Sequence, residues 1–251
     1  MREIDQDKIA SLHPLLWADF RGYTFLFDNP GPPGDAGLLH NVVDHAQLTL
    51  YQKLFKALQN GPMKPLLLGA NFCSLPLESY HVTWLEGLDQ GKMDQFPPEF
   101  GDALMRFCSA AEGEPDPSFF APLGPLPKLP TEGIGFIFEN LANWRGKVLA
   151  AKLRPHPDDL DTFDRLMSAR KQLIQEHFGR FHPNPQELFR PFEAHISLGY
   201  FPFQSTGHNL QTYTSEWSLY LTETLQETAI RFFSISPFIF HDMVTFYRLL
   251  H

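Results

Sequence analysis

Ser79-Tyr80-His81-Val82-Thr83-Trp84-Leu85 and Ala194-His195-Ile196-Ser197-Leu198-Gly199-Tyr200 carry one pattern, histidine-x-hydroxyl, 114 residues apart. In the first stretch Tyr80, Val82 and Trp84 alternate with His81 and Thr83. In the second, Ala194, Ile196, Leu198 and Tyr200 alternate with Glu193, His195, Ser197 and Gly199. Residues i and i+2 of a strand share a face, so each stretch reads as a half-buried strand with an imidazole beside a hydroxyl on its polar side. Both pairs are expected mid-strand. With 11 His and 24 Ser plus Thr, chance supplies about one H-x-[ST] in the chain, so the pattern counts only through this matched setting.

The bulk composition narrows the classes. At 251 residues the chain is long enough for one large domain or two small ones, and 43% hydrophobic with 24 Phe supplies a substantial core. The net charge of −9 disfavours long duplex nucleic acid, whose binding draws on many Lys and Arg, but leaves room for a small anion in a local pocket. Cys73 and Cys108 make neither a metal spacing nor a disulfide framework and read as two reduced, buried thiols. The charged start Met1-Arg2-Glu3-Ile4-Asp5 lacks the apolar core of a secretion signal, and no apolar run reaches the ~20 residues of a membrane span. A cytoplasmic, monomeric protein is expected, without a membrane partner.

Outward from the motifs, residues up to about Asp19 read as loose or partly helical. Tyr23–Phe27 reads as a strand, Asn41–Gln59 as an amphipathic helix stopped by Asn60-Gly61, and Leu66–Ser74 as a strand. Phe100–Ala111 reads as a second helix. Residues 113–132 hold six prolines and read as a linker or long loop. Gly133–Asn140 and Lys147–Leu153 form a strand pair, Pro157–Phe178 a helix, and a further helix begins near Ser215. Aromatic strands at Ile230–Ile235 and Phe238–Leu249 close the chain. The order strand, helix, motif strand thus occurs twice. It predicts an α+β fold over residues 1–251: two pseudo-symmetric lobes, each an antiparallel sheet with helices on its outer face, and a central cleft carrying both motifs.

These residues resemble the 2H phosphoesterase superfamily, which includes RNA 2′-5′ ligase-like proteins and cyclic phosphodiesterases. The hallmark of that group is a pair of H-x-[ST]-apolar motifs on two symmetry-related lobes, here His81-Val82-Thr83-Trp84 and His195-Ile196-Ser197-Leu198. The Ser79–Gly87 segment, Gly22-Tyr23-Thr24-Phe25 and Ala194–Tyr200 look like a longer, uncharacterised branch of it. The Pro-rich loop and the first 20 residues have no counterpart.

The resemblance implies catalytic roles for His81, Thr83, His195 and Ser197. One imidazole would act as base and the other as acid, with the hydroxyls donating to the phosphoryl oxygens. The substrate would be a 2′,3′-cyclic phosphate, a 2′-5′ linked oligonucleotide or a cyclic nucleotide. The alternative is a non-catalytic module binding nucleotides or RNA ends on the same fold. Arg190, Phe201 and Tyr23 are candidate substrate contacts. Lys152 and Arg154 share one strand face, turned either to the cleft or to solvent. No cofactor and no metal are expected, because His40 and His45, at i, i+5, do not stack on one helix face. His177 and His182 read as surface residues.

Overall fold

Gly22–Phe27, β3, is apolar on both faces and fully buried, which is what a central strand covered on two sides requires. The computed structural model describes residues 4–30, 48–89, 91, 98, 126–179, 185–188, 191–203, 208–226 and 228–249. Residues 41–47 of the helix expected over Asn41–Gln59, the helix expected over 100–111, residues 113–125, His40, His45, Cys108, His182 and Arg190 lie outside the described residues.

Before β3, Ile9–Leu12 (β1) and Leu15–Trp17 (β2) form a small antiparallel hairpin where a loose or helical segment was expected. After it come α1 (Thr49–Asn60), α2 (Lys64–Gly69), β4 (Cys73–Ser74) and β5 (Thr83–Asp89). Of the expected Leu66–Ser74 strand, the first four residues are thus helix and only Cys73–Ser74 is strand. Pro65 at a first-turn position seeds α2, and Asn71, at φ 53°, turns the chain out of it. Next are β6 (Ile134–Trp144), β7 (Val148–Pro155) and α3 (Leu160–Leu173), which runs on as a π-helical turn through Phe178. Then come α4 (Pro185–Leu188), β8 (His195–Tyr200), α5 (His208–Thr224), β9 (Ala229–Phe232), β10 (Ile235–Phe240) and β11 (Phe246–Arg248). Among the described residues no helix is long and apolar enough to cross a membrane.

The larger strands make two antiparallel sheets, of order β11-β10-β3-β5 and β4-β8-β7-β6-β9. The α+β, two-sheet architecture is as expected, and each motif strand stands in its own sheet. The halves of the chain are nonetheless interwoven. β4 leaves the first half to pair with β8, and β10 leaves the second half to pair with β3, with β11 on its other edge. Helices cover the sheets: α5 packs on β6, where the Ser218 hydroxyl accepts from the Leu141 amide at 2.9 Å. α1 buries Leu50, Tyr51, Leu54 and Leu58. The sheets share one main core, in which the Phe27 ring of β3 meets Phe136 at 5.3 Å and Phe232 at 5.1 Å. Leu26, Phe238, Phe240 and Phe246 form a second, smaller cluster.

Candidate active site

Alternation at both motifs is as expected: Tyr80, Val82 and Trp84, and Ala194, Ile196 and Leu198, are buried, while the His and hydroxyl residues between them are half-exposed. Their position along the strand differs from mid-strand. His195 is the first residue of β8, and His81 lies two residues before β5, joined to the sheet through the Phe27 amide, which donates to the Val82 carbonyl at 3.0 Å. Strand entry leaves the carbonyls just upstream out of the ladder, and both histidines use one. His81 Nδ1 is 2.7 Å from the Ser79 carbonyl oxygen and His195 Nδ1 is 2.8 Å from that of Glu193. A carbonyl only accepts, so Nδ1 holds the proton in each ring and Nε2 is left to take one up. Each ring also rests on an aromatic side chain: His81 on Phe246 (4.9 Å between centroids) and His195 edge-on against Trp144 (4.5 Å).

Each hydroxyl is succeeded by a second shared device. In β5, Thr83 pairs with Leu26 and Leu85 with Phe25, so Trp84 is the extra residue of a β-bulge. In β8, Ser197 pairs with Ala150 and Gly199 with Leu149, so Leu198 is the extra one. A bulge resets the alternation by one position and re-aims the side chains beyond it. After the first, Trp84 and Leu85 both point into the core and Glu86 returns to the Thr83 face. After the second, Tyr200 joins the His195 face, pairing with Val148, and Phe201 turns inward. Phe201, expected beside His195, is fully buried against Phe72 and has no face to offer a base. Tyr23 is likewise fully buried, because it points with Phe25 and Phe27 into the main core. His177 is buried rather than on the surface.

Thr83, from one sheet, and His195, from the other, line one cavity of about 630 Å³. Trp144, Tyr200, Glu86 and Arg170 line it as well, and Gln6, Asp7 and Lys8 of the N-terminal segment close one side. That segment is fastened by the Gln6 side-chain amide and the Lys147 ammonium, which bond to the Lys147 and Asp5 carbonyls at 3.1 and 2.6 Å. His81 and Ser197 are not in the lining. Ser197 reaches it through Tyr200: the Tyr200 hydroxyl donates to Met243 Sδ at 3.1 Å, and the Ser197 hydroxyl hydrogen-bonds the phenol oxygen. Burial pushes the Tyr200 phenol up to about 12, so it stays a neutral hydroxyl.

Burial also holds the His195 imidazole below its ordinary value, opposed by the Glu193 carbonyl and the carboxylates of Glu86 and Glu193 and assisted by Lys152. At neutral pH His195 is therefore an uncharged base. Lys152 pairs with His195 in register and meets Glu193 at 3.4 Å, whereas Arg154 is exposed. Among the described residues no cluster of three or more His, Cys, Asp or Glu could hold a metal ion.

Glu86, Arg170, Trp144, Tyr200 and the Gln6–Lys8 segment carry no signal in the sequence. Glu86 and Tyr200 depend on bulges, Trp144 and Gln6–Lys8 on sheet pairing and a distant clasp, and Arg170 on helix docking. No local pattern marks any of these.

Two facing antiparallel sheets with a histidine-lined cavity between them define the class of this α+β protein. The fold matches the crystal structure of ATU0111, a conserved protein of unknown function from Agrobacterium tumefaciens str. C58. The TM-score is 0.60 at 15% identity, over 93% of this chain and 86% of that one. Apo LigT from E. coli aligns over 93% of this chain and 96% of its own at 12% identity, with a TM-score of 0.43 too low to carry weight. Such likeness is one of fold alone. No family model matches the sequence, and no curated protein matches it significantly.

Proposed function

We propose that the protein is a metal-independent phosphodiesterase of the 2H type, acting in the cytoplasm as a monomer on a small nucleotide-derived diester. The observation that carries this reading is the doubled device: twice, a histidine fixed through Nδ1 to the carbonyl two residues back, then a hydroxyl, then a bulge. A core has no need of two such copies, one in each sheet. A reaction that must accept a proton on one side of a phosphate and give one on the other does.

In this reading His195, uncharged at neutral pH, takes a proton from water at Nε2. The water oxygen forms the new P–O bond while the bond to a ribose oxygen breaks. His81, as imidazolium, gives its Nε2 proton to the departing oxygen, leaving a monoester and an alcohol. Thr83 and Ser197 donate to the non-bridging oxygens, where charge accumulates. Ser197 does so by turning its proton from Tyr200 to the phosphate. The cavity volume of about 630 Å³ suits a nucleotide better than a long strand.

The test is turnover of 2′,3′-cyclic nucleotides, 2′-5′ and 3′-5′ dinucleotides and cyclic nucleotides with EDTA present. One of these should be cleaved, and His81→Ala and His195→Ala should each lower kcat by about 10²-fold or more. Wild-type turnover in both variants would sink the assignment.

A further inference from the structure

Arg170 and Glu86 reach the cavity from positions the twin motifs do not include. Arg170 comes from α3, and its Nε–H donates to the Trp84 carbonyl at 3.0 Å. Trp84 directly follows Thr83 and is the extra residue of the bulge, so the guanidinium is fastened one residue from a motif hydroxyl. Its carbon stands 5.9 Å from the Phe192 ring centroid, which narrows its freedom further. The same bulge delivers Glu86 to this face, where its carboxylate acts on both Arg170 and His195. Glu86 is exposed and Arg170 half-buried. The cavity lining holds four cationic side chains against three carboxylates, although the whole chain carries −9. A local excess of cations on an acidic protein suits an anionic ligand.

A guanidinium held by its Nε–H keeps its donor fork in a fixed plane, and a planar fork is the geometry that matches phosphate oxygens in pairs. Its present counter-charge, an exposed carboxylate on a strand, is cheap to displace because water resolvates it. We infer that Arg170 is the cation that receives the substrate's phosphate and that Glu86 is the counter-ion it releases on binding. This rests on the phosphodiesterase reading and names a contact that reading lacks.

Inorganic phosphate is the probe, titrated into the full chain and followed by calorimetry. The wild type should bind it. Arg170→Ala should weaken binding roughly tenfold or more, Arg170→Lys should recover only part because it keeps the charge and loses the fork, and Glu86→Gln should tighten binding several-fold. Equal affinity in wild type and Arg170→Ala, or no binding to wild type, would overturn the inference. Arg170→Ala also removes the bond to Trp84, so its fold is checked by circular dichroism. Glu86→Gln leaves that bond alone, and unchanged phosphate affinity in it would overturn the counter-ion role. Arg170-dependent phosphate binding without turnover of any diester would defeat the phosphodiesterase reading and leave this inference standing. His-dependent turnover with Arg170-independent phosphate binding would do the reverse.

Discussion

An imidazole whose Nδ1–H is bonded to a carbonyl can take up a proton only at Nε2, and both motif histidines are held this way. Burial lowers the His195 pKa below the ordinary ~6.5, so its neutral form persists to more acid pH than that of a free histidine. A reaction using it as base loses rate as pH falls through that lowered pKa. The acid limb of the kcat/KM profile, which reports the free enzyme, should therefore lie below pH 6.5, and a limb above it would assign the base elsewhere. Thr83→Ala should lower kcat by about 10²-fold with KM little changed, if its hydroxyl serves the transition state, and Thr83→Ser should keep most of the rate. At this scale the two histidines and two hydroxyls were legible, because each is a chemical group in a period-2 pattern. Phe201 was misread and Tyr200 missed for one reason: strict alternation was carried through a bulge that resets it.

Bulges and edges set the elements. Gly199 lies at the second bulge, where an added Cβ would run into the Cys73 carbonyl and the Phe72 ring. Gly199→Ala must push β4 from β8 and should cost about 1–3 kcal/mol, read as a lower denaturant midpoint with unchanged slope. An unchanged midpoint would mean that the β4 contact yields freely. β4 itself was expected to be much longer. Leu66–Leu68 are as apolar as a strand, but short apolar runs do not choose between helix and strand, and Pro65 tips this one. The N-terminal hairpin had no signal of comparable strength. Leu15 and Leu16 are exposed, and the nearby segment is anchored instead by Gln6 and Asp5 on Lys147 and Pro202.

The whole molecule is tied together by strands that change partners: β4 joins the second sheet, and β10 and β11 join the first. With Phe27 against Phe136 and Phe232 the two sheets share the main core, and only the small cluster of Leu26, Phe238, Phe240 and Phe246 belongs to the first sheet alone. Denaturation should follow a single transition by both fluorescence and circular dichroism, and Phe27→Ala should lower stability by about 3–5 kcal/mol while keeping it single. Two separated transitions would show that the sheets unfold independently. The sequence by itself determined the α+β class, the strands that both motifs lead into and the face that bears their polar pairs, since these come from local periodicity and side-chain chemistry. Tertiary structure alone decided that Thr83 and His195 share a cavity and that Arg170 and Glu86 join them. It also decided that β10 and β11 cross to the first sheet. Those outcomes depend on pairing register and long-range packing, where the free energy comes from contacts between residues far apart in the chain and no local pattern records the partner.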